Sequence, residues 1–333
     1  MAEPAGLIDA HCHLVLPGRA GVARDFVSER MRSSLLFRLI RRRYGGIDDP
    51  AELGAAYVGR LRRDLAGSRR VGAVVLLALD AAYGDDGERD LAATHLFVSN
   101  DAVLELAQSE PGFLAGASIN PRRKDAVDEV ARVAAGGAVL VKWLPNAQSF
   151  DPADERNRPL FEALRQHRLP LLVHSGVEYS VVHSRFHRGG DPDRWRLALD
   201  CGVDVIAAHA GSGGRFLGER HRGVLFELMR RYPNLYADSS ALLIPSRAGM
   251  LRHLRRSPAA LARLTFGSDY PLPSFPSLAL ALGGSVRGFL RARAERNYFD
   301  RQVELFRTLG WEPSSTVLEQ LIARLPSARA ARP

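Results

Sequence analysis

Short apolar runs rich in valine, leucine and isoleucine recur along the 333-residue chain, with segments of helical periodicity between them. Eight of these runs read as strands: residues 6–11, 71–80, 113–120, 138–144, 169–174, 203–209, 234–238 and 264–269. Several are continuously apolar rather than alternating, as expected of strands buried on both faces. Strands and helical stretches alternating over about 260 residues predict a parallel sheet and a (β/α)8 barrel, whose active site lies at the C-terminal strand ends. A doubly wound open sheet is the rival. It wants a glycine-rich phosphate turn after the first strand, where this chain places His11-Cys12-His13.

Two segments fall outside the repeat. Residues 18–70 carry helical patterning (Phe26, Met31, Leu35, Leu36, Leu39, Ile40) and an arginine run at 41–43. They read as amphipathic helices with solvated basic faces. Because the insertion leaves from the catalytic end of strand one, a lid over the barrel mouth is the sharper reading. After Pro276, the spacing of Val303, Phe306 and Leu309, then Val317, Leu321 and Ile322, predicts C-terminal helices packed on the barrel. Residues 1–326 are expected to form a single domain and 327–333 a frayed tail.

Composition narrows the class. Hydrophobic residues at 46% and charged residues at 25% suit a soluble globular enzyme. Two cysteines, Cys12 and Cys201, cannot make a disulfide framework. The longest apolar run, 71–79, falls short of the roughly 18 residues of a membrane span, and the N-terminus lacks a basic leader. A cytoplasmic location with no membrane partner is the expectation. The net charge of +9 invites a nucleic-acid reading. Yet of 46 basic residues only Lys124 and Lys142 are lysine, and the arginines are scattered without basic-aromatic interleaving. A GC-rich coding bias explains that ratio, so no nucleic-acid partner is expected.

The polar residues at strand ends carry the chemistry. Side chains alternate along a strand, so His11 and His13 share one face and Cys12 takes the other. Two such imidazoles can grip one divalent metal at about 2.0–2.1 Å each. Lys142 falls on strand four, His174 at the end of strand five, His209 at the end of strand six and Asp269 at the end of strand eight. The separations of 32, 35 and 60 residues correspond to one, one and two βα units, so all six side chains meet at one rim. Among flanking residues, Trp143, Asn146 and Arg185 are candidate substrate contacts. His183 and His187 lie in the loop of Arg185, and Asp238-Ser239-Ser240 are candidates to shape the pocket. Asp9 could orient a histidine, and Gly211-Ser212-Gly213-Gly214 could hold an oxyanion or simply make a tight turn.

This ordered set resembles the amidohydrolase superfamily. The texts Ile8-Asp9-Ala10-His11-Cys12-His13, Val141-Lys142, Val173-His174-Ser175-Gly176 and Phe266-Gly267-Ser268-Asp269-Tyr270-Pro271 resemble its amidohydrolase-related branch. That branch includes aminocarboxymuconate semialdehyde decarboxylase and metal-dependent barrel hydrolases, and the likeness runs from about Leu7 to Leu325. The resemblance implies that His11, His13, His174 and Asp269 hold a divalent ion, with nitrogen and oxygen donors that suit zinc. Asp269 would move the proton, and His209 would polarise a carbonyl or steer water. In two-metal relatives a carbamylated lysine at strand four bridges the ions and the counterpart of His209 binds the second. Lys142 and His209 are therefore also candidate ligands, and one ion or two stays open.

The resulting expectation is a metal-dependent hydrolase that attacks an amide, ester or lactone carbonyl of a small molecule with metal-activated water. The alternative is a decarboxylase or hydratase acting on an unsaturated or aromatic carboxylic acid. A basic binding protein using the arginine-rich insertion leaves the six converging residues unexplained. A homo-oligomer would be common for such an enzyme.

Overall fold

The computed structural model describes residues 6–18, 24–178, 187–214 and 221–326. Eight parallel strands make one sheet in chain order. They are β1 (Leu7–His13), β2 (Val71–Leu77), β3 (Phe113–Ala117), β4 (Ala138–Trp143), β5 (Leu171–Val173), β6 (Val205–Ala207), β7 (Leu235–Asp238) and β8 (Leu264–Thr265). The chain at and beyond β8 bonds back to β1. Ala10 N–H donates to the Phe266 carbonyl at 2.9 Å, Asp269 N–H to the His11 carbonyl at 2.9 Å and His13 N–H to the Tyr270 carbonyl at 3.0 Å. The sheet is thereby closed into a (β/α)8 barrel.

Barrel closure explains the apolar runs. In β2, residues Val74, Val75, Leu76 and Leu77 are all fully buried, because one face packs inside the barrel and the other under helices. The covering helices follow their sequence signals. Helix Pro50–Ala66 begins with Asp49 accepting from Glu52 N–H at 2.9 Å and with proline in its first turn. Its buried residues Leu53, Tyr57, Leu61 and Leu65 recur every four positions and turn one face to the barrel. At the far end, Asn297 caps helix Tyr298–Thr308, helix Thr316–Ile322 follows, and the Ser314 carbonyl accepts from Phe266 N–H at 2.8 Å.

Every strand but β1 is shorter than its pattern suggests, β6 and β8 by the most. β5, β6 and β8 stop at Val173, Ala207 and Thr265. Beyond β6 and β8, His209, Ala210 and Asp269 take φ of 56°, 48° and 62°, which no extended strand accommodates. The backbone there bends over the barrel mouth and carries its polar side chains with it. β1 instead stays extended through His13.

The insertion after β1 contributes Phe26–Val27, paired antiparallel with Leu96–Phe97, and then helices Leu35–Arg43 and Pro50–Ala66. It is fastened to the mouth by aromatic rings. Tyr57 lies 5.3 Å from Tyr44 and 5.7 Å from Tyr270, centroid to centroid. Among the described residues, no helix is long and apolar enough to cross a membrane.

Candidate metal centre

His11 and His13 leave the inward face of β1, and Asp269 reaches them from the turn after β8. His11 Nε2 lies 3.3 Å from His13 Nε2 and 3.4 Å from Asp269 Oδ1, and His13 Nε2 lies 3.2 Å from the same oxygen. Three donors held about 2.0–2.1 Å from one tetrahedral ion stand about 3.3–3.4 Å apart. The spacing of the trio therefore matches the donor separations around a zinc-sized divalent ion. Lys142 Nζ approaches the same His11 nitrogen at 3.2 Å. The His209 ring stacks on that of His11, centroids 5.2 Å apart, and its Nε2 lies 3.2 Å from His174 Nδ1. The other nitrogen of His174 is buried without a hydrogen bond and stands 3.6 Å from Glu178 Oε2.

Burial sets the electrostatics. It pushes His11 below its usual pKa, helped by the Lys142 charge, and depresses His174 and His209 further, with Arg247 as the next contributor. These imidazoles are neutral at physiological pH, as metal ligands must be. Burial also lowers the Lys142 ammonium to about 8. It works against ionisation of Asp269, but His11, His13 and Lys142 outweigh it and hold the carboxyl well below its ordinary range.

A second carboxylate lies beneath the trio. Asp238, at the end of β7, is fully buried, with Oδ2 2.7 Å from His11 Nδ1. Its Oδ1 accepts from His209 N–H at 2.7 Å, from Ser240 N–H at 3.0 Å and from the Ser240 hydroxyl. Ser240 Oγ stands 2.8 Å from His209 Nδ1, and the Ser240 carbonyl 3.3 Å from it. A carbonyl can only accept. His209 therefore carries its proton on Nδ1 and turns a lone pair at Nε2 toward His174.

The remaining candidates fall in several places. Trp143 does not line the site, because its neighbour Lys142 takes the inward face. Its ring packs on Phe150 and Phe161, and its N–H donates to the Ile119 carbonyl at 2.7 Å. Asn146 is buried and donates to the Gly176 carbonyl at 3.3 Å, so it ties the loops after β4 and β5 together. Arg185 and His183 lie outside the described residues. Asp9 accepts from the backbone N–H of His11 and of Ser268, each at 2.9 Å, and so seams β1 to the β8 turn rather than orienting an imidazole. The Ser212 carbonyl accepts from Arg247 and the Gly213 carbonyl from Val177 N–H, which makes 211–214 a tight turn tied to its neighbour loop.

Two contributors carry no warning in the sequence. Arg247 is one arginine among many, yet it is buried and donates to the carbonyls of Ser175 at 2.8 Å, Ser212 at 3.2 Å and Val177 at 3.3 Å. Tyr57, from the insertion, donates to the His13 carbonyl at 2.5 Å. Only the fold brings either to the site.

Residues 8–285 match the family model described as amidohydrolase, and the chain belongs to that family. The solved structures it resembles share the barrel. A TIM-barrel protein from Bordetella bronchiseptica is 16% identical, with a TM-score of 0.58 over 92% of this chain and 100% of the other. An amidohydrolase from Burkholderia multivorans is 17% identical, with a TM-score of 0.53 over 97% and 100%. A 2,6-dihydroxybenzoate decarboxylase is 15% identical, with a TM-score of 0.52 over 95% and 98%. No curated protein matches the chain by sequence.

Proposed function

We propose that the protein is a metal-dependent hydrolase that cleaves an amide, ester or lactone carbonyl of a small molecule with activated water. One observation carries the reading: three donor atoms, on His11, His13 and Asp269, spaced 3.2–3.4 Å apart. A divalent ion held by them, zinc by its donor set, supplies Lewis acidity and lowers the pKa of water toward neutrality.

The chain's own groups divide the remaining work. Asp269 is ionised and turns Oδ1 to the histidine pair, while Oδ2 stands 3.8 Å from His209 Nδ1. It is the base that takes the proton of the attacking water and returns it to the leaving group. His209 Nε2 accepts from His174 Nδ1 at 3.2 Å, so His209 holds that ring in place, and in this neutral tautomer it has no proton there to polarise a carbonyl. Lys142, largely protonated at pH 7, faces developing negative charge with a compact cation.

A lyase reading draws on the same ammonium. Lys142 is a buried acid, and an acid beside the ion can deliver a proton to carbon once carbon dioxide has left. Incubation with esters, lactones and amides on one side, and aromatic or unsaturated carboxylic acids on the other, separates the two. Release of an alcohol or amine, abolished by chelation and restored by zinc, supports hydrolysis. Carbon dioxide released from a carboxylic acid with no other leaving group overturns it in favour of the lyase.

A further inference from the structure

We infer that Asp238 is a positioning residue that fixes the tautomer of His11 and so presents the Nε2 lone pair to the divalent ion. The inference rests on the metal-site reading above. Neither an amide nor a hydroxyl could take its place, for reasons visible in its contacts.

Asp238 Oδ1 is already committed as an acceptor to two backbone N–H groups and a hydroxyl, those of His209 and Ser240. Oδ2 faces His11 Nδ1 at 2.7 Å, the length of a charge-assisted bond. A carboxylate has no hydrogen to give, so Nδ1 is the donor and Nε2 is left bare. The opposite side of the ring agrees. Lys142 Nζ stands 3.2 Å from Nε2, a donor facing a lone pair. A ligating histidine commonly donates its other nitrogen to a carboxylate in this way.

Asp238 also acts at one remove. The Ser240 hydroxyl donates to Asp238 Oδ1, so its oxygen is free to accept from His209 Nδ1 at 2.8 Å. One buried carboxylate on β7 thus sets one imidazole directly and supports a second through a serine.

The decisive variant is Asp238→Asn, which preserves volume. The two backbone N–H groups require an acceptor, so the asparagine carbonyl takes the Oδ1 place and its NH2 turns toward His11. His11 Nδ1 must then accept, and the proton moves to Nε2, the atom aimed at the ion. Ser240→Ala is the comparison, because it leaves the pair of Asp238 and His11 untouched.

Full-length protein labelled with 15N-histidine and stripped of metal reports each tautomer through two-bond 15N–1H correlation. Zinc affinity is measured separately by competition with a chromophoric chelator. The expected result is Nδ1–H at His11 in the native and Ser240→Ala proteins and Nε2–H in Asp238→Asn, with zinc bound about 10–100-fold more weakly by the last. An Nε2–H tautomer in the native protein, or an unchanged tautomer in Asp238→Asn, overturns the inference. The native spectrum alone decides it if that variant does not fold. A native protein with no zinc affinity refutes the metal reading alone, because the tautomer is read without an ion.

Discussion

Lys142→Met makes the metal-free protein more stable at neutral pH while removing its function. Lys142 is fully enclosed, and burial lowers its ammonium from 10.5 to about 8, against the pull of Asp238 and Asp269. Each unit corresponds to about 1.4 kcal/mol, so keeping the charge in the folded state at pH 7 costs about 3 kcal/mol. Methionine fills nearly the same volume. It forfeits the bond to His11 Nε2 at 3.2 Å, worth about 1 kcal/mol. The net gain is about 2 kcal/mol. The folded pKa lies below the unfolded one, so between about 8 and 10.5 the unfolded chain binds the extra proton and native stability rises with pH. The variant lacks that rise, and its advantage shrinks across the window and then reverses. Urea denaturation in EDTA at pH 7, 9 and 10.5 measures this directly. A variant less stable than native at pH 7, or a difference that is constant with pH, refutes the reasoning.

Three further outcomes follow from neighbouring residues. Burial raises Asp9 from 3.8 to about 7, so the folded state holds an extra proton in that window and stability falls as pH rises through it; Asp9→Asn should flatten the decline in urea midpoints between pH 4.5 and 7.5. Tyr57→Phe loses the bond to the His13 carbonyl, and should lower stability by about 1–2 kcal/mol in the same assay while weakening zinc binding. In Gly267→Ala the new Cβ meets Cβ of His11 at 3.1 Å, of Ser240 at 3.3 Å and of Asp238 at 3.4 Å. That crowding should weaken zinc retention, read by chelator competition, more than it shifts the melting temperature.

The apolar rhythm made the barrel legible, because strands enclosed on both faces leave long valine and leucine runs such as 71–79. The rim was legible too, since a one-βα-unit spacing carries Lys142, His174 and His209 to the same end. What the chain did not disclose is how those side chains divide. His174 shares its rim with His11, but its Nδ1 faces His209 Nε2 at 3.2 Å rather than the trio. Trp143 misled because a strand residue next to an inward lysine points to the helices, where a large aromatic ring is packing material. Asp238 was visible only as a pocket residue. Its bond to His11 spans 227 positions of sequence, and periodicity carries no signal at that range. Arg247 was hidden by the abundance of arginine, and Tyr57 by lying in the insertion.

Metal content per chain, measured on native protein and on Asp269→Asn purified without chelator, tests the central claim most directly. The account predicts at least one divalent ion per native chain, lost or nearly lost when Asp269 Oδ1 no longer completes the trio as an ionised donor. Native protein that carries no ion and takes up none on titration with zinc contradicts it.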